Sequence, residues 1–85
     1  MNEEDENFMS RLFDDRKRIK EAFANWRKEP AFTPKGFFGG GQERLLLGEL
    51  NTLEMEAMSK VGEVPGDQIL SEATAKVDKL RKRGM

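Results

Sequence analysis

The chain has 85 residues, 36% of them hydrophobic and 36% charged, with a net charge of −1, which suits one small domain spanning 1–85 with a thin core. Cysteine, histidine and tyrosine are all absent, which excludes disulfides, thiolate nucleophiles, imidazole bases and the commonest transition-metal ligands. No apolar run approaches the ~20 residues of a membrane-spanning helix, and the acidic stretch from Met1 to Asn7 lacks the basic-then-apolar order of a secretory signal, so a cytoplasmic or virion setting is expected and a membrane partner is not.

Asn2 followed by Glu3, Glu4 and Asp5 reads as an N-cap with acids in the first turn, where unpaired N–H groups and the helix dipole favour negative charge. The helix predicted to start here runs over about 3–29 and stops at Pro30. Phe8, Leu12, Ile19, Phe23 and Trp26 recur at helical steps and form its apolar stripe. Asp15 and Arg16 interrupt that stripe at mid-length, and Met9 and Phe13 lie to one side of it.

Residues 30–41 contain two prolines and several glycines, a composition that predicts an irregular arm. The arm also holds Phe32, Phe37 and Phe38, half of the six phenylalanines. Three readings stand side by side. The aromatics fold back over the helices to close the core, insert into a groove on another protein, since buried aromatics dominate interface energetics, or, as the least favoured course, enter a membrane. Phe37 and Phe38 are adjacent and cannot both face inward from an extended segment, so one of them is expected on the outside.

A second helix is predicted over about 42–61, with Leu46, Leu50, Leu53, Ala57 and Val61 on one face, Leu47 and Met58 beside it, and Glu43, Glu49, Glu54 and Glu56 on the wet side. Lys60, Gly62, Val64 and Pro65 spell its C-terminal cap, with Gly62 at the left-handed position just past the end. Gln42, Leu45 and Leu47 give Gln-x-x-Leu-x-Leu, six residues that resemble the short peptide that docks into bacterial sliding clamps. Leu46 and Leu50 already account for the same leucine-rich stretch as helix core.

Asp67 reads as the N-cap of a third helix over about 67–83, whose seam is Leu70, Ala73, Val77 and Leu80. The fold class expected is therefore all-α: a long first helix, a Gly/Pro/Phe-rich arm, then two further helices, arranged as a helical hairpin or an open three-helix assembly.

Charge is sorted along the chain in spite of the small net value. Arg16, Lys17, Arg18 and Lys20 form one basic cluster, and Lys79, Arg81, Lys82 and Arg83 form another. A nucleic-acid reading requires both on one phosphate-facing surface; the alternative spends them on acids of this chain or a neighbouring one, such as Asp14 with Arg18 and Lys17 with Glu21 at i, i+4. The acid pairs Asp14–Asp15 and Glu54 with Glu56 do not converge on one point of a helix surface, so no catalytic residue, metal ligand or cofactor site is assigned.

The reading that follows is a non-enzymatic protein–protein interaction module, a structural or adaptor subunit of a larger assembly, with a small viral or phage virion component as the favoured setting. Its partner would be another protein or a second copy of the chain, met through Phe8, Phe13, Trp26, Phe32, Phe37 and Phe38. Two alternatives are a small regulatory binder that inhibits a host enzyme and a nucleic-acid accessory protein that uses the basic clusters. The assembly reading is favoured chiefly because the first helix is expected to outrun the others, leaving its Phe8 and Phe13 end to be buried by another copy or a different protein.

Overall fold

A computed structural model describes residues 3–34 and 40–84, the side chains of 3–5 excepted. It contains three α-helices, α1 (Glu3–Arg27), α2 (Gly41–Ser59) and α3 (Gly66–Arg83), with a 3-10 turn, Pro30–Phe32, after α1. There is no strand among the described residues; the sole bridge joins Val61 to Val64 within the α2–α3 turn. The all-α expectation holds, and the open alternative resolves into helices packed α1 on α2 and α2 on α3. The N-cap reading of Asn2 lies outside the described residues.

Helix ends differ from expectation by two residues at most, each for a local reason. α1 ends at Arg27 because Lys28 and Glu29 turn back with i, i+3 bonds to Asn25 and Trp26 (3.2 and 3.0 Å), which lets Pro30 open a 3-10 turn where an irregular arm was expected. Proline tolerates that position because the first N–H of a helical turn has no internal partner. α2 starts at Gly41 behind Gly40, whose φ of 80° is open to glycine at little cost. Its C-terminus tightens: Lys60 N–H bonds Ala57 O at 3.1 Å and Val61 N–H bonds Met58 O at 3.3 Å, so the left-handed Gly62 sits two residues beyond the helix cap at Lys60.

Asp67 is not the N-cap of α3. Pro65 occupies that position, and Asp67 lies inside the first turn, where its charge still meets the positive end of the helix dipole. The α3 seam is also shifted by one residue at its start. Ile69, Ala73, Val77 and Leu80 are the buried set, while Leu70 is half-buried.

The core unites Ile19 and Phe23 of α1, Phe32 of the 3-10 turn, Leu46, Leu50 and Ala57 of α2, and the α3 seam. Phe23, Phe32, Leu50 and Val77 are wholly removed from solvent. Trp26 closes one end of this core, half-buried, with its ring edge-on to Phe23 at 4.8 Å and 85°. Among the described residues no buried side-chain nitrogen or oxygen lacks a partner, as a small core requires when each unsatisfied group costs about 1–3 kcal/mol.

Ion pairs report the direction of each helix. Lys60 meets Glu72, Lys76 meets Glu56 and Arg83 meets Glu49, so each step back along α2 is matched by an equal step forward along α3 and the two run antiparallel. Arg18 pairs with Asp67 at the start of α3, and Arg81 near its end pairs with Glu29, so α1 and α3 run the same way. The arrangement is up-down-up.

Candidate protein-contact surface

The α2–α3 turn meets α1 well inside the first helix. Gly62 lies against Leu12, whose Cδ2 would stand 3.2 Å from a Cβ added at the glycine. One turn on, Asp15 packs against Gly66 so closely that an added Cβ would lie 2.6 Å from Asp15 Cγ. A side chain at Gly66 would thus displace the Asp15 carboxylate, because α1 passes directly over the first turn of α3. The interruption of the apolar stripe by Asp15 has the same cause, since its carboxylate sits at the positive end of the α3 dipole.

Beyond that crossing α1 outruns the other helices, with Phe8 and Arg11 still bordering the α2–α3 turn. Residues 3–11 extend about 13 Å past it at 1.5 Å per residue, in a molecule 55 Å long and only 22 by 15 Å across. Phe8 is 45% exposed, Met9 56% and Phe13 69%. Phe8 and Leu12 continue the core-facing stripe into a notch shared with Val64 and Pro65. Met9 and Phe13 lie further round the helix, and Phe13 borders a shallow depression with Arg16, Lys17 and Lys20.

The six aromatic residues named from the sequence are thus divided. Phe8 is half-exposed on the overhang, and Phe13 is exposed at the crossing itself, between Leu12 and Asp15. Trp26 is half-buried on the core. Phe32 is wholly buried, so it leaves the set of contact residues: the 3-10 turn swings its ring back between the helices, which is the core-closing reading of the arm. Phe37 and Phe38 lie outside the described residues. Leu45 and Met55 are exposed on α2 at 71% and 73%; from the sequence Leu45 had a contact role only through the Gln-x-x-Leu-x-Leu segment, and Met55 had none.

The two basic clusters stay apart. Asp67, beside Arg18, and Arg81, beside Glu29, are fourteen positions apart on α3, about 21 Å along its axis. Several cations are consumed internally. Arg18 Nη2 donates to Asp67 Oδ1 at 2.7 Å, a bond that is the main cause holding its guanidinium above the ordinary value, with the nearby charges of Asp67, Asp15 and Asp14 adding to it. Arg81 binds both carboxylate oxygens of Glu29 and also Asp78, and its hydrogen bonds to Glu29 raise it most. Arg83 pairs with Glu49 at 2.8 Å while its carbonyl accepts from Gln42 Nε2 at 2.6 Å. Arg16, Lys17, Lys20, Lys79 and Lys82 make no ion pair among the described residues.

The intrahelical pairs expected from the sequence, Asp14 with Arg18 and Lys17 with Glu21, do not form; Arg18 reaches across to α3 instead. The Gln-x-x-Leu-x-Leu segment is helical, which separates its elements. Leu45 is exposed, Leu47 packs against the core and Gln42 is held by Arg83, so a peptide-like docking mode would require α2 to unwind.

Among the described residues no group of acids could hold a metal ion, and no helix is long and apolar enough to cross a membrane. No family model, curated protein or solved structure matches the chain.

Proposed function

We propose that the protein acts by contact and not by catalysis, as a protein-binding helical module that serves as a structural or adaptor subunit of a larger assembly, and that the overhanging start of α1 is its docking element. The observation that carries this reading is the exposure of Phe8, Met9 and Phe13 within six residues of one helix. Single exposed apolar residues are ordinary. Three large ones within six residues, where α1 leaves the bundle, are a contact surface in waiting.

Energetics point the same way. Burying each of these side chains would contribute about 1.5–3 kcal/mol, a large increment beside the about 4–13 kcal/mol that a chain of this length holds. The core does not need them, since Phe23, Phe32 and Ile19 already fill it. A second protein that covers the overhang would gain this energy without rearranging the bundle.

Photo-crosslinking in cells tests the reading. A photoreactive amino acid placed at Phe8 or at Phe13 should give a discrete adduct, while the same probe at the exposed Ala75 of α3 should not. Equal labelling at all three positions, or none at any, would sink the proposal.

A further inference from the structure

We infer that the partner of the overhang is a second copy of this chain, its α1 laid antiparallel on the first about a two-fold axis level with residue 11. This deepens the reading of the overhang as a docking element and rests on it. In the pair, Met9 of each copy packs on Phe13 of the other, and Glu6 of each faces Arg16 of the other.

The pattern lies on one strip of α1. Glu6, Met9, Phe13, Arg16 and Lys20 recur at steps of three, four, three and four, the spacing of a helix seam, and every one of them is exposed. At about 100° per residue the strip is centred roughly 80° round the helix from the midline of Ile19 and Phe23. A second helix can therefore lie on it without displacing α2 or α3.

Charge selects the occupant. The strip begins with an acid, has an apolar centre and ends with two bases, and neither Glu6, Arg16 nor Lys20 has an ion pair among the described residues. A parallel copy would set Glu6 against Glu6 and Arg16 against Arg16. An antiparallel copy sets acid against base at both ends and apolar against apolar between them. It does so twice by symmetry, which is the self-complementarity a two-fold interface requires. An unrelated partner would have to match this order independently, whereas this chain already carries it.

The paired contacts from Glu6 to Arg16 span about three turns, at the small end of specific interfaces, so the dimer is weak, with a dissociation constant of about 10–100 µM. Sedimentation equilibrium on the full chain at rising concentration should show it. Phe13→Glu should weaken association at least tenfold. Glu6→Arg and Arg16→Glu should each do the same alone, because each places like charges in contact. An equimolar mixture of these two variants should regain the affinity of the unaltered chain, since every contact between unlike copies is then complementary. All three positions are exposed, and unchanged melting at low concentration confirms that the variants fold.

The inference is overturned if the unaltered chain stays monomeric near 1 mM, where a dimer of this strength would be mostly formed, if the single charge reversals leave association unchanged, or if the mixture does not regain it. Oligonucleotide binding at low ionic strength that depends on Arg16 and Lys20, in a chain that remains monomeric, would assign the strip to nucleic acid and equally overturn it. None of these results touches the docking role itself, which stands or falls by crosslinking from Phe8 and Phe13.

Discussion

Arg81 holds Glu29 through two parallel hydrogen bonds, Nε to Oε1 at 2.7 Å and Nη2 to Oε2 at 2.8 Å, and so ties the end of α3 to the residue where the chain leaves α1. Both side chains are largely shielded, at 28% and 33% exposure. A planar guanidinium fits a carboxylate in this way and an ammonium does not. Arg81→Lys should therefore lose most of the contact, costing about 1 kcal/mol, a fall in Tm of about 4–8 °C for a domain of this size. A double-mutant cycle with Glu29→Gln, followed by thermal melting, should return a coupling of the same order; additive losses would show that the fork contributes nothing.

Gly66→Ala gives a sharper test of the α1–α3 crossing. Helix propensity alone favours alanine over glycine by about 1 kcal/mol, yet the added methyl would meet the Asp15 carboxylate. The substitution should destabilise by roughly 1–3 kcal/mol. In an Asp15→Ala background the same change should become neutral or stabilising, because the obstructing group is gone. Denaturant melts of the four proteins decide it, and stabilisation by Gly66→Ala in the unaltered chain would contradict the close approach.

The aromatic residues should separate cleanly in stability measurements. Phe32→Ala opens a cavity in a fully buried site and should cost about 3–5 kcal/mol, enough to unfold much of a marginal chain. Phe13→Ala, at an exposed position, should stay within about 0.5 kcal/mol when measured at low micromolar concentration. Circular dichroism against temperature for the two variants gives the comparison; equal losses would show that the two rings do not differ in burial.

Glu72 makes acid sensitivity predictable. Its hydrogen bond from Gln68, and after it the bond and charge of Lys60, hold its carboxyl below the ordinary value of 4.5. Because the folded value is the lower one, the contribution to stability is fully present above that ordinary value and is lost as pH falls through the folded value. Glu72→Gln should lower Tm slightly at neutral pH and flatten the decline of Tm on the acid side. A variant whose acid limb matches the unaltered chain would show that the Lys60–Glu72–Gln68 cluster does not couple to folding.

Helix number, approximate bounds and most of the core were legible in the chain, because apolar spacing and the Pro and Gly breaks are local signals that neighbours in sequence fully determine. Ile19, Phe23, Leu46, Leu50, Ala73, Val77 and Leu80 could be placed inward on periodicity alone. So could the interruption at Asp15, though not its purpose. That purpose depends on Gly66, fifty-one positions away, and no local pattern connects a carboxylate to the helix start it will lie across. The fates of Phe32, Arg18 and Arg81 were hidden for the same reason: whether a loop aromatic turns inward, or a cation is spent on an acid of its own chain, is decided by which distant groups arrive beside it. Tertiary packing alone also determined where α1 leaves the bundle, since the crossing point is set by the turn between α2 and α3. What the residues stated unaided was that Met9 and Phe13 lie to one side of the apolar stripe and that a basic cluster follows them; only the packed helices revealed that this side of α1 is left uncovered.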